Sequence, residues 1–339
     1  LRVATFNAAL SRRGPGLLLR DILTTEDAQS EAAAQVVAAA RADVLLLTGI
    51  DWDHDLLALG AFADRVAAHG LRYDHRFAWR PNTGWQTGLD MVGDGRHNTA
   101  DDAQGYGAFT GVKGMGLLSR LPIARAEARD FSGFLWRDLP GALLPQAAGA
   151  DAYPEAVLAV QRLSTTGHWD VPVVLPDGGR LHVLAWYATP PVFGGPHDRN
   201  LRRNHDETRF WSLFLDGALP MPPPAGPFVL MGDANLDAQA GDGMSEAMAA
   251  LLAHPALQDP APSSAGARAA RGPVPHDLGT VLWDGPRQPG NLRVDYVLPS
   301  ADLRVRGSGV LWPAPGDPLA EVVATAARHR LVWVNIALP

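Results

Sequence analysis

Asp233 and Asn235 stand two residues apart, just behind a short apolar run from Phe228 to Met231. The run reads as a buried strand. Gly232 lets the chain turn there without a Cβ clash. Side chains two apart on extended backbone face the same way, so a carboxylate and a carboxamide would project together from the strand end. Such a pair can orient a water and donate a hydrogen bond to an oxyanion, which phosphoester hydrolysis needs. Taken alone, the pattern is equally that of an Asx turn leaving a strand.

Four other stretches accompany it. The chain opens Leu1-Arg-Val-Ala-Thr-Phe-Asn7, a strand ending in Asn. Met115-Gly-Leu-Leu-Ser-Arg-Leu-Pro-Ile123 lies mid-chain, Arg293-Val-Asp-Tyr-Val-Leu298 comes late, and Arg328-His-Arg-Leu-Val-Trp333 precedes the end. In this order and spacing the set resembles the endonuclease/exonuclease/phosphatase superfamily, over residues 1–339 as one domain. The resemblance implies an α/β four-layer sandwich, with two mixed β-sheets packed face to face and helices outside. It also implies phosphoester hydrolysis with a divalent metal, usually Mg²⁺ or Mn²⁺. Asn7 matches an Asn that helps hold metal or phosphate. Asp233 and Asn235 match a water-orienting or activating Asp and an oxyanion-contacting Asn. Asp295 matches the aspartate that orients a catalytic histidine, and His329 matches that histidine.

Three family positions are replaced. Gly49 stands where the metal-binding Glu is expected, Tyr187 where a His is expected, and Arg328 where an Asp precedes the final His. An arginine at a cation-binding position repels the cation. Two readings follow. In one, the protein is a catalytically silent binding module on this fold. In the other, the chemistry is rebuilt: Asp51 or Asp53 replaces the lost Glu if the chain beyond Gly49 stays extended. Tyr187 and Arg328 then bind phosphate, Arg pairing bidentately with its oxygens. His168, His205 and Asp206 are further polar candidates; ordinary loop polarity is the plainer account of His168, and a solvated helix face the plainer account of the segment carrying His205.

A second cation site is suggested by Asp90-Met-Val-Gly-Asp94-Gly95, with Asn98 and Asp101 beyond. Oxygens at positions 1, 5, 9 and 12 with Gly at 6 resemble a Ca²⁺ loop. Val92 occupies position 3 and no helices flank the segment, so a polar loop shaped by glycines is the plainer account.

Composition narrows the partners. The 339 residues are 47% hydrophobic, with a net charge of −7 and no basic block. A sequence-independent nucleic-acid binder usually shows a basic face, so a small or extracellular phosphoester is favoured over duplex DNA. With no cysteine, disulfides and thiolate chemistry are excluded. No stretch reaches the roughly 18 apolar residues of a membrane span. Lys113 is the only lysine beside many Arg, Ala and Pro, a composition typical of a GC-rich bacterial genome. A start at Leu1 running straight into a strand is what removal of a signal peptide would leave, and equally what a trimmed start would leave; a periplasmic or secreted protein is expected, with a cytoplasmic one as the alternative.

The elements that must position these residues follow from periodicity. Strands are expected at 2–7, 43–47, 115–118, 181–186, 228–231, 293–298 and 331–337. A pair is expected between 159–163 and 170–175. Helices are expected after Thr24 or Thr25 as cap, from Leu56 to Gly70, from Asp198 through Phe214, and over 241–254. Residues 80–111 and 258–291 read as long irregular segments.

Overall fold

Strand β1 (Arg2–Asn7) leads through helices α1 (Leu17–Thr24) and α2 (Ala28–Ala40) into β2 (Val44–Ile50) and α3 (Leu57–Ala68). Then come β3 (His75–Phe77), β4 (Gly114–Ser119), β5 (Arg129–Asp130), β6 (Gly167–Val174) and β7 (Arg180–Tyr187). Helix α4 (Arg199–Leu215) precedes β8 (Phe228–Asp233) and α5 (Glu246–Leu252). The chain closes through β9 (Val281–Trp283), β10 (Gly290–Leu292), β11 (Asp295–Pro299), β12 (Val305–Val310), α6 (Pro318–Ala326) and β13 (Val332–Ile336). The computed structural model describes residues 1–147, 150–270, 277–285 and 288–338.

Two mixed sheets result. One runs β12-β13-β1-β2-β4-β3 and the other β11-β8-β7-β6-β5, while β9 and β10 form a separate hairpin. β1 pairs parallel with β2, and β8 parallel with β7. The remaining pairings in both sheets are antiparallel.

The period-2 alternation decides which way each strand faces. Val3, Val44 and Leu46 of the first sheet meet Val183, Val229 and Met231 of the second in one buried layer between the sheets. The residues in between, Phe6, Leu45 and Leu47, point outward under α2 and α3, against Val36, Val37 and Phe62. On the far side Leu184, Trp186 and Leu230 pack under α4 through Phe210, Trp211 and Phe214. Each such side chain contributes roughly 1.5–3 kcal/mol of burial, so both sheets are covered on both faces. This is the four-layer arrangement expected from the sequence.

Several local expectations are corrected. Residues 159–163 form no strand; β6 instead hairpins onto β7, Gly167 pairing with Tyr187. The cap ahead of α2 is Asp27, whose carboxylate accepts the Ser30 N–H at 2.6 Å; Thr25 instead ends α1 in a left-handed conformation. Helix α5 is shorter than 241–254, and α1 and the edge strand β12 were not anticipated. The long 258–291 segment contains β9, with residues 271–276 and 286–287 outside the described residues.

Candidate active site

The strand ends converge on one point. Asp233, the last residue of β8, is flanked in register by Tyr187 of β7 and Asp295 of β11. Gly232 sits at φ 153, and a Cβ there would meet the Trp186 carbonyl oxygen at 1.9 Å; only glycine lets the two strands come this close. From the opposite sheet, Asn7 at the end of β1 donates through Nδ2 to Asp233 Oδ2 at 2.8 Å, and more distantly to the Tyr187 hydroxyl at 3.4 Å. The second Asp233 oxygen accepts the Asn235 N–H at 2.8 Å.

Asp295 is fully buried. Its Oδ2 accepts from Thr280 Oγ1 at 2.8 Å and from His329 Nδ1 at 2.9 Å, while its Oδ1 has no partner. His329 Nδ1 also lies 3.7 Å from Asp233 Oδ2. Among the described residues, Asp233, Asp295 and His329 form the one group whose ligand atoms all lie within 4.8 Å of one another. Burial alone would lower the imidazole pKa, but the charges of Asp295 and then Asp233 outweigh it and raise it to about 8. Burial, and then the Asp295 charge, pushes Asp233 well above the carboxylate range. With Nδ1 committed to Asp295, His329 keeps Nε2 for the cavity it lines. Burial likewise raises the Tyr187 phenol.

Thr280 is a residue that the sequence did not reveal. Its hydroxyl also accepts the N–H groups of Val294 and Asp295, each at 3.0 Å. Its carbonyl takes the Arg330 N–H at 2.7 Å, next to a bridge between Val281 and His329. Trp283 stands edge-on to the His329 ring with centroids 5.7 Å apart.

Above this floor opens a cavity of ≈ 680 Å³, lined in part by Asn7, Arg13, Lys113, Tyr187, Arg328 and His329, and by no Asp or Glu. The Arg328, Lys113 and Arg13 side chains are exposed and make no ion pair among the described residues. Arg12, also on the wall, is held by Asp21 and Asp27. Asn235 lines the neighbouring cavity instead; its Nδ2 donates to the Ala188 carbonyl at 2.9 Å, pinning the exit of β7.

The other sequence candidates lie elsewhere. Asp51 is buried, with Oδ1 accepting from Ser11 Oγ at 2.6 Å and Lys113 N at 3.0 Å, and Oδ2 from Arg12 N at 2.7 Å. Its burial raises its pKa. Asp53 accepts the Leu57 and Ala58 N–H groups at 2.7 and 2.9 Å, closing the first turn of α3. Asp90 accepts N–H groups from Gly93, Asp94 and Gly95, and Asp94 accepts the Arg96 N–H. Asp101 turns instead toward Arg199, at 3.8 Å. The carboxylates expected to hold a cation therefore accept mainly backbone N–H groups, Asp53, Asp90 and Asp94 from their own loops and Asp51 from the Arg12 and Lys113 segments. His205 pairs with Asp206 at 2.9 Å, whose other oxygen accepts from Trp136 Nε1 and Leu143 N. His168 is core: stacked on Trp211, its Nε2–H donating to the Glu207 carbonyl, and driven by burial to a pKa of about 4.

These donors do not fit a divalent cation at the place the resemblance implies. Gly49 has φ 69, and a Cβ there would fall 2.5 Å from Asn7 Oδ1; the space of a ligating side chain is taken. A register shift between Thr48 and Ile50 then turns the chain, so Asp51 and Asp53 do not follow on extended backbone. Hard cations want several oxygens including carboxylate. Here the wall offers guanidinium and ammonium groups, and of the buried Asp233 and Asp295 oxygens only Asp295 Oδ1 is without a partner, the others binding Asn7, the Asn235 N–H, Thr280 and His329.

Solved structures share the architecture. An endonuclease/exonuclease/phosphatase from Beutenbergia cavernae superposes with a TM-score of 0.58 at 18% identity, covering 100% of this chain and 71% of that one. Sphingomyelinase C from Streptomyces griseocarneus gives 0.52 at 18%, covering 100% and 99%. A mannosyl-6-phosphatase from Bacteroides thetaiotaomicron gives 0.53 at 12%, covering 100% of both. At these identities the likeness is one of fold. No curated protein matches in sequence. The family model that does match spans residues 4–329, and with the strand-end cluster in place the chain belongs to the Endonuclease/Exonuclease/phosphatase family.

Proposed function

We propose that the cavity over His329 takes the phosphoryl group of a small phosphoester and that the protein hydrolyses it, with side-chain cations neutralising the phosphate. The observation that carries this reading is the wall itself. In a chain of net charge −7, this cavity gathers Arg13, Lys113, Arg328 and the Nε2 of a histidine held cationic by two buried carboxylates, and it has no acidic lining. Arg and imidazolium donors are strong partners for phosphate oxygens. His329 Nε2–H then donates to the bridging oxygen and protonates the leaving alcohol as the P–O bond breaks. The attacking water gives its proton to Asp233, whose raised pKa suits a base near neutrality, once the Asn7 carboxamide turns off Oδ2. A small ester is favoured over duplex nucleic acid because the chain carries a net charge of −7 and no basic block, whereas a nucleic-acid binder usually shows a basic face.

The test is initial-rate hydrolysis by the full chain over a panel of phosphomonoesters and phosphodiesters, with chelator and with Mg²⁺, Mn²⁺ or Ca²⁺. Turnover that persists in chelator supports the reading. Turnover only with metal sinks the cationic-wall part of it. A second reading, a silent phosphate-binding protein, is favoured by one observation: both oxygens of Asp233 are capped, by Asn7 and by the Asn235 N–H. Phosphate binding without turnover of any ester would establish it.

A further inference from the structure

Two of the three residues that depart from the family pattern meet at one side chain. Gly49 leaves room for the Asn7 carboxamide: a Cβ there would fall 2.5 Å from Asn7 Oδ1. Tyr187 brings its hydroxyl to the other end of the same group, 3.4 Å from Asn7 Nδ2. That nitrogen carries two N–H groups, and one of them is given to Asp233 Oδ2 at 2.8 Å. Asn7 therefore stands between two oxygens. It holds the carboxylate closely and reaches the phenol from beyond the usual hydrogen-bond range.

The two acceptors are held firmly and the amide between them is not. Tyr187 closes β7, pairs in register with Asp233 of β8 and Gly167 of β6, and packs its ring against the layer between the sheets. Asp233 is fully buried, with its other oxygen anchored by the Asn235 N–H. The far end of the Asn7 carboxamide has one hydrogen bond, Oδ1 accepting the Ala9 N–H at 3.3 Å. The terminal torsion of an asparagine is soft. A small turn about it carries Nδ2 from one acceptor to the other and leaves both sheets in place.

The Tyr187 hydroxyl lies at the wall of the cavity over His329. Asn7 is its one hydrogen-bond partner among the described residues, and there the phenol oxygen accepts. Its proton is left to donate elsewhere. Burial, and then the Asp233 charge, keep the phenol protonated, so it stays a donor through the neutral range. A phosphoryl oxygen in the cavity supplies a charged acceptor. When an O–H donates to such an oxygen, its own oxygen becomes a stronger acceptor, because chained hydrogen bonds polarise one another. The Asn7 N–H then gains by moving toward Tyr187.

We infer that Tyr187 couples phosphoryl binding to the release of Asp233: its hydroxyl donates to a non-bridging phosphoryl oxygen, draws Asn7 Nδ2 off Asp233 Oδ2, and so frees that oxygen for the attacking water. The inference rests on the phosphoester reading of the cavity. The cap that Asn7 places on Asp233 is then displaced by substrate and is no bar to turnover. Gly49 and Tyr187 act together in this, the glycine giving the amide space to turn and the tyrosine giving it somewhere to go.

The test joins crystal structures with inorganic phosphate to a double-mutant cycle, both on the full chain. In the wild-type phosphate complex, Asn7 Nδ2 should lie about 3 Å from the Tyr187 oxygen and no longer bond Asp233. In the Tyr187→Phe complex the Asn7–Asp233 bond should persist. Initial rates are read on p-nitrophenyl phosphate and bis(p-nitrophenyl) phosphate. Tyr187→Phe should lower kcat about ten- to hundredfold, the worth of one hydrogen bond to a charged group, with an unchanged melting temperature. In an Asn7→Ala background, where Asp233 is already uncapped, the same substitution should cost at least about fivefold less, the coupling expected within one hydrogen-bond network. Phosphate bound in the cavity with Asn7 still on Asp233 overturns the inference and leaves the phosphoester reading standing. So does a Tyr187→Phe loss of equal size with and without Asn7, which confines Tyr187 to a direct contact with the phosphoryl group. Phosphate bound without turnover of either ester ends the hydrolysis reading, and the two phosphate complexes alone then decide whether the hydrogen bond is transferred. If phosphate does not bind and neither ester turns over, the phosphoester reading fails and takes the inference with it.

Discussion

Two sets of buried or half-buried aspartates in this molecule look alike in the sequence and differ in what their oxygens touch. Asp51, Asp53 and Asp90 accept mainly backbone N–H groups from their own or adjoining loops. Asp233 and Asp295 are fully buried and face a carboxamide, a hydroxyl and an imidazole, with Asp295 Oδ1 left without a partner. A carboxylate saturated by backbone donors has completed its task by shaping the chain. A pair held beside a shared histidine, with the Asp233 carboxyl pushed up by burial and the Asp295 charge and one Asp295 oxygen unused, is under electrostatic tension of the kind found at functional sites. Of the first set, Asp51 frames the cavity through Ser11, Arg12 and Lys113, and Asp53 and Asp90 shape their own loops; the Asp233 set charges the cavity through His329.

The largest effect expected from this contrast is on turnover. Replacing His329 by Ala removes the only imidazole at the cavity among the described residues and should lower phosphoester hydrolysis by about 10²–10⁴-fold in initial-rate assays. Asp51→Ala should act differently. It leaves the Lys113 and Arg12 N–H groups and the Ser11 hydroxyl without their acceptor, and hydrogen bonds to a charged group are worth roughly 1.5–3 kcal/mol. Stability from urea melts should fall by about 2–4 kcal/mol, with weaker phosphate binding because Lys113 loses its anchor. A stable Asp51→Ala protein with normal phosphate affinity, or one that loses a bound metal, would break the distinction.

Much of this arrangement was legible in the chain, for reasons that can be named. The apolar runs ending in Asn7, Asp233 and the Val-Asp-Tyr-Val stretch at Asp295 are short core strands, and period-2 alternation places their last polar residues at one sheet end. What misled was the assumption of extended backbone beyond Gly49. The left-handed φ at Gly49 and the register shift beside it rotate Asp51 away from the cavity wall, and nothing in Gly-Ile-Asp-Trp-Asp announces that turn. Thr280 was invisible because it lies in a Pro-, Ala- and Gly-rich segment with no periodicity; its role arises from pairing with residues near 295 and 329, contacts far apart in sequence. The oxygen spacing from Asp90 to Asp101 suggested a cation loop, yet spacing says nothing of direction, and Asp90 points at its own N–H groups.

The charged floor should also show itself in pH dependence, at a smaller scale. His329 holds its proton to about pH 8 in the folded protein against an ordinary value of 6.5. A raised folded pKa stabilises fully below the unfolded value, and that contribution is lost as pH rises through about 8. Asp233 is shifted upward as well, so it too binds its proton more tightly when folded, and the two act in the same direction. Stability should decline between about pH 6.5 and 8 by on the order of 2 kcal/mol, and His329→Ala should flatten that slope. A slope unchanged in the variant would mean that the imidazole is not the group responsible.

The smallest effect is the sharpest test of the saturated set. Asp53 accepts the N–H groups of Leu57 and Ala58, two of the donors that the first turn of α3 cannot satisfy within the helix. The residue immediately before the helix, Leu56, has no side-chain oxygen to do so and sits at φ 55, so the task falls to a carboxylate four residues ahead of Leu57. Asp53→Ala should therefore cost about 1 kcal/mol, the usual worth of a helix cap, and Asp53→Asn should recover only part of it, since its one carboxamide oxygen replaces just one of the two carboxylate oxygens that take the Leu57 and Ala58 N–H groups separately. Mg²⁺ or Mn²⁺ titrated into the wild type and the Ala variant should give indistinguishable melting temperatures shifted only by that cost. A cation-dependent gain in the wild type that Asp53→Ala abolishes would show that the carboxylate does more than end a helix, and the division between framing and charging carboxylates would have to be redrawn at this residue.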